Sequence, residues 1–286
     1  MTNYPVCYTI YAEIKIYTHL IFLCGLNTVP NIKERKNMKR AEILSGNALK
    51  IIAAAAMLID HFGLMFFPPV LSYRIIGRIS FPIFAYMIAE GAKYTRNRLR
   101  YFLSLFILGA VCQAVFHVVS DGFLYMNILL TFSVAILLIY LLEALKREIF
   151  KPSDKKWLVW VWGAAFAVAL TAVFLITSIP KKFHFDYGFA GCTIPVLLSA
   201  VNFRGLDVSD KIKRLDCKWT RIFLLGMGLI FFAIEIGSYQ WYALLALIPL
   251  ILYSGERGRV NMKYFFYIFY PVHLVLIEGL YILVRG

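Results

Sequence analysis

The stretch LSGNALKIIAAAAMLIDHFGLMFF, residues 44–67, decides the fold. It is apolar on every side of a helix, which a soluble protein tolerates only in a deep core. Its length matches the roughly 20 residues that an α-helix needs to cross the hydrocarbon of a bilayer. Ser45-Gly46-Asn47 supplies a polar start and Pro68-Pro69 a stop. Further spans of the same kind are predicted near 72–92, 99–118, 123–143, 157–179, 187–203, 219–237, 240–254 and 264–284. Those at 187 and 240 are the shortest. The fold class is therefore all-α: a polytopic integral membrane protein of about nine transmembrane helices, within a range of eight to ten.

Composition agrees. Of 286 residues, 61% are hydrophobic and 16% charged, and the mean hydropathy is +0.72. A soluble domain of ordinary make-up is nearer a quarter charged, so soluble, disordered and disulfide-stapled classes are excluded. The net charge of +14 would hint at nucleic acid in a soluble chain. In a membrane chain it marks the cytoplasmic loops and their anionic lipid, so no nucleic-acid partner is expected. With residue 44 placed inside, the internal segments carry twenty-three Lys and Arg and the external ones only Lys181, Lys182 and Arg285. That asymmetry predicts a C-terminus outside. The five cysteines show no C-x-x-C pair or metal spacing, and no Gly-rich phosphate loop is present.

Residues 6–29 are interrupted by Glu13, Lys15, His19 and Asn27, a weak pattern for a span, and lack the features of a signal peptide. Residues 1–37 are read as an optional extension, poorly ordered or interfacial. Met38-Lys39-Arg40 looks like an alternative start, with residues 38–286 as the membrane domain.

Ionisable residues inside spans are costly and are functional candidates by default. Here they are Lys50, Asp60, His61, Arg74, Arg78, Glu90, His117, Glu235, His273 and Glu278. Lys50 and His61, eleven residues apart, fall within about 20° on one helix face and about 16 Å apart along it. Ala53, Ala54 and Met57 leave little bulk between them. Such a stripe lines a narrow channel or marks tight helix packing. Asp60 points about 100° away from His61. Its expected partners are Arg74 and Arg78, an i,i+4 pair just past the proline turn. Pro82 predicts a bend in the second span. Asn127 and Thr131 share a face of the fourth span, and Tyr270-Pro271-Val272-His273 puts another imidazole beside a proline. A metal site from His61, His117, His273 and Glu235 has no supporting spacing, and none is expected.

Leu44-Ser-Gly-Asn-Ala-Leu-Lys50, Leu58-Ile-Asp60-His61, Arg74-Ile-Ile-Gly-Arg78-Ile-Ser-Phe-Pro82, Asn127-Ile-Leu-Leu-Thr131 and Phe269-Tyr-Pro-Val-His273 resemble the TraX family over about 40–284. That family is named after a conjugation-associated protein that N-acetylates pilin subunits. Lys50-x10-His61 also resembles the Arg-x10-His signature of acyltransferase-3-type membrane enzymes. Lys replaces Arg here, a point charge in place of a bidentate fork. The resemblance implies a multi-pass acyltransferase of the bacterial cytoplasmic membrane. It would take acetyl-CoA, or another acyl-CoA, as donor and modify an extracytoplasmic acceptor, a protein amine or a glycan hydroxyl.

It further implies His61 as general base, Arg78 or Asn127 for the oxyanion, and Asp60 within the same catalytic group. Lys50, Lys93 and Arg74 would hold the cofactor, with His117, Glu235, His273 and Thr131 completing the polar core. A secondary transporter or channel, or a non-catalytic scaffold, are the alternatives. No internal repeat of the transporter kind is visible.

Overall fold

The computed structural model describes residues 43–119, 125–150, 155–178, 184–260 and 262–285. The expectations for residues 1–37 and for Lys181 and Lys182 lie outside them. Helix α1 (Gly46–Phe66) starts at Ser45, whose hydroxyl accepts from the Ala48 N–H at 3.2 Å. It stops where Phe67 N–H returns to the Gly63 carbonyl at 2.9 Å, just before Pro68 and Pro69. The second span is two helices, α2 (Leu71–Gly77) and α3 (Ser80–Tyr94), separated at Arg78-Ile79. A bend at Pro82 was expected. The break instead falls four residues earlier, and Pro82 occupies the first turn of α3, where a missing N–H costs nothing.

Then come α4 (Arg98–Val119), α5 (Ile128–Phe150), α6 (Trp157–Ser178), α7 (Gly188–Ala200), α8 (Asp210–Lys213) and α9 (Lys218–Ile236). A 3₁₀ segment, Ser238–Ala246, runs into α10 (Leu247–Ile251), and α11 (Lys263–Arg285) closes the described chain. Two-residue strands β1 (Tyr125–Met126) and β2 (His184–Phe185) pair in parallel outside the helices.

Among the described residues seven helical segments are long and apolar enough to cross a membrane, α2 and α3 counting as one. The chain is thus an all-α polytopic membrane protein. The two short spans appear as α7 and the 3₁₀–α10 segment. A 3₁₀ helix rises about 2.0 Å per residue against 1.5 Å for α, so the latter stretches to roughly 25 Å. Helix α7 is shielded by its position. It packs on α3, α5, α6 and α9, and Ala190, Gly191, Cys192, Ile194 and Pro195 are buried. Protein, rather than lipid, meets its ends. By contrast α6 buries only Val173, and Trp160 is 80% exposed, as on a helix that faces hydrocarbon.

The core joins Leu49 and Ala53 of α1, Phe81 and Ile83 of α3, Ile136 of α5, and Leu225, Leu229 and Phe232 of α9. Ala53 and Ala54 are buried within it, so the small residues serve helix packing, the second of the two readings of that stripe. Helix α11 lies against α1. Lys50 meets Phe266, His61 meets His273 and Phe66 meets Tyr281, which makes the two helices parallel.

Candidate functional site

The turn at Pro68-Pro69 folds α2 back on α1, and Gly77 lets them touch: a Cβ there would overlap the Asp60 side chain. Asp60 then takes Arg74 Nη1 on one carboxylate oxygen at 2.9 Å and Arg78 Nη2 on the other at 2.8 Å. Both expected partners are engaged. They are not equivalent, however. Arg78 is buried, and its other donors reach the Arg74 carbonyl at 3.3 Å and Gln240 Oε1 at 3.4 Å. Arg74 keeps 29% of its side chain exposed and pairs with Asp60. Arg78 is a strut; Arg74 has donors to spare.

Next along α1, His61 Nδ1 lies 3.0 Å from His273 Nε2, with the rings within 7° of parallel. The other nitrogen of His273, Nδ1, sits 2.8 Å from the Phe269 carbonyl. A carbonyl only accepts, so His273 Nδ1 carries the proton and His273 Nε2 is the acceptor. His61 Nδ1–H therefore donates to it, and the basic lone pair of neutral His61 is left on Nε2. His273 follows Pro271 by two positions within α11, and Phe269 stacks on its ring at 4.7 Å between centroids. His61 is partly exposed while His273 is buried. Arg74 and Arg78 are near enough to act on the His61 ring electrostatically.

Lys50 faces α11 as well, its ammonium 5.6 Å from the Phe266 ring centre. Along the same seam α11 lays Phe266 against Lys50 and Phe269 against His273. A polar cleft lies where the basic segments of the chain converge. It is lined by Tyr86, Glu90, Lys93, Ser199, Asn202 and Arg221; neither Lys50 nor His61 lines it. Lys93 Nζ holds Asp216 at 2.7 and 2.9 Å, Arg221 binds the same carboxylate, and Tyr253 donates to Glu90. Lys50 is an electrostatic neighbour of Glu90 and Arg257, so it adjoins this cleft from the α1 side.

The remaining polar residues have other duties. Asn127 caps α5: its Oδ1 accepts from Leu129 and Leu130 N–H, and its Nδ2 donates to Gly109 O at 2.8 Å. Both ends of its amide are thus engaged in capping and cross-helix contacts. Buried Thr131 donates to the Asp186 carbonyl at 3.2 Å. Glu235 accepts from the Phe189 and Ala190 N–H groups, the unpaired start of α7. His117 belongs to α4, and its side chain lies outside the described residues. Among the described residues no three His, Cys, Asp or Glu converge as a metal site.

Two features escaped the sequence. The His61–His273 pair spans 212 positions and needed the α1–α11 contact to be seen. Lys146, three residues beyond Glu143 on one buried face of α5, caps the end of α7 through the Ser199, Ala200 and Asn202 carbonyls. That i,i+3 charge pair at a span end was the available signal.

Residues 45–281 match the family model described as TraX protein. A probable fimbrial assembly protein, FimC of serogroup H1, from Dichelobacter nodosus is 26% identical over 263 residues, covering 84% of this chain and 97% of that protein. Uncharacterized protein RP591 of Rickettsia prowazekii (strain Madrid E) is 35% identical over 83 residues, 29% of this chain and 32% of its own. No solved structure matches. With the family model spanning both the Asp60–Arg74–Arg78 cluster and the His61–His273 pair, this chain belongs to the TraX family.

Proposed function

We propose that the protein is a membrane acyltransferase that moves an acetyl or related acyl group from cytoplasmic acyl-CoA to an extracytoplasmic acceptor. The observation that carries the reading is the ordered chain from the Phe269 carbonyl through His273 to His61. It leaves one basic nitrogen, His61 Nε2, without a hydrogen-bond partner among the described residues, on a partly exposed ring. A general base must be held in one tautomer with its lone pair toward the substrate.

In this reading His61 Nε2 takes the proton of the acceptor amine or hydroxyl as that group attacks the thioester carbonyl. The tetrahedral oxyanion is met by the spare donors of Arg74. Arg78, with each of its three nitrogens already donating, holds Asp60 and so holds Arg74 in place. The C–S bond then breaks, and the leaving thiolate receives the proton that His61 took up. The donor's nucleotide would lie at the basic end, near Lys50 and Lys93, on the cytoplasmic side. From there the thioester would reach His61 along the α1–α11 seam, about 16 Å from Lys50, displacing the aromatic side chains of Phe266 and Phe269 that α11 lays there. The relative named as a fimbrial assembly protein supports a surface-appendage subunit as acceptor, its terminal amine being the nucleophile.

The test is release of coenzyme A from acetyl-CoA by the detergent-purified chain, with mass spectrometry of envelope proteins from cells with and without it. A mass gain of one acetyl group on an envelope component, absent with His61→Ala, supports the reading. Equal acetylation in both strains sinks it, and a fall in protein abundance alone would favour a scaffold.

A further inference from the structure

The cleft at the basic end holds a group that the histidine chemistry does not use. Arg221 is buried to 8% exposure, yet its Nε has no hydrogen-bond partner among the described residues. The rest of the guanidinium is placed: Nη2 binds Asp216 and the side chain also meets Tyr86. A buried N–H left unpaired is costly, so a site built around one is poised for an acceptor. Around it the charge is unbalanced. Among the described residues, Lys50, Lys93, Lys146 and Arg221 cluster with Glu90, Asp216 and Glu143, and Arg98 shares Glu143.

The acidic groups are already taken. Asp216 is held by Lys93 and Arg221, Glu90 receives the Tyr253 hydroxyl, and Asn202 donates to Glu143. None is left to satisfy Arg221 Nε. The unmet need is for an oxyanion with several acceptor oxygens, which a guanidinium edge beside an ammonium binds well.

We propose that the cleft lined by Glu90, Lys93, Ser199, Asn202 and Arg221 is a phosphate-binding site, with Arg221 Nε and Lys93 as its donors. That the ligand is a phosphate oxyanion follows from the cleft alone. That it belongs to the acyl donor rests on the acyltransferase reading. A lipid headgroup offers the same chemistry, and the measurement separates the two sources.

The full chain in detergent is titrated with pyrophosphate and with coenzyme A. In parallel, nanodiscs of phosphatidylglycerol are compared with nanodiscs of phosphatidylcholine, with thermal stabilisation as the readout. Saturable binding of pyrophosphate and tighter binding of coenzyme A are expected. Arg221→Gln and Lys93→Gln should each weaken both by about tenfold or more, the scale of losing a charge-assisted hydrogen bond. Lys213→Ala, an exposed lysine paired only within α8, should leave them unchanged.

Lys93→Gln leaves the Arg221–Asp216 pair in place and serves if Arg221→Gln does not fold. Stabilisation by phosphatidylglycerol alone, lost in the same variants, supports the phosphate site and overturns its assignment to a soluble donor. No saturable binding of any probe, or equal binding in wild type and both variants, overturns the site. The two proposals fail separately: intact binding without acetyl transfer removes only the transferase, and transfer without this binding removes only the site.

Discussion

At the scale of single residues, the site divides into a strut and a relay. Asp60 holds two guanidiniums in a buried place, and removing one partner of such a group strands the others' charge. Asp60→Asn is expected to cost about 3–5 kcal/mol and to show as a lower melting temperature and lower abundance. His273→Phe keeps the ring stacked on Phe269 but removes the acceptor for His61. Acyl transfer should fall about 10²-fold or more while the melting temperature stays near wild type, and transfer assays beside thermal melts check both. Equal loss of fold and activity would make His273 a packing residue only.

The Asp60 partners were legible in the sequence because a short proline turn separates them on one hairpin. The partner of His61 was not: helices far apart in the chain are matched by packing, which no local spacing records. The roles of the two arginines were also hidden, since spacing gives a shared face but not which side chain is enclosed. Arg78 proved the enclosed one, 7% exposed against 29% for Arg74.

At the scale of elements, the break between α2 and α3 positions the strut, and Gly77 makes it possible. Gly77→Ala would push a methyl group into Asp60 and is expected to destabilise by about 1–3 kcal/mol, read in thermal melts. Pro82→Ala should change stability by no more than about 1 kcal/mol, because the proline lies in a first turn that needs no N–H there. A large loss in Pro82→Ala would show that the proline shapes the break. The sequence revealed that this span is interrupted but misplaced the point, since a proline marks where a helix cannot be continuous and also where a new one can start. The 3₁₀ segment was legible only as a short span. Its 3₁₀ winding and its packing against α3 and α9 were not.

At the scale of the molecule, apolar run lengths were enough to read the fold class, because a bilayer imposes one length on every crossing helix. The alternation of basic segments was equally legible, and the structure gathers Lys93, Lys146, Arg221 and Lys218 at one end of the bundle. The positive-inside bias predicts that this end is cytoplasmic. Lys213→Cys should be labelled by an impermeant maleimide only in inverted vesicles, and Pro69→Cys only in intact cells. Which of the two readings of the small-residue stripe holds was not legible: small residues on a helix face serve packing and passage alike, and here Ala53 and Ala54 are buried in the core.

The relay on α1 is tested most directly by coenzyme A release from acetyl-CoA, using the full chain in detergent with envelope extract as acceptor and His61→Ala measured beside wild type. Wild type should turn over, and the variant should lose about 10²–10⁴-fold at unchanged melting temperature. Turnover by His61→Ala at the wild-type rate, or none by folded wild type, would contradict it.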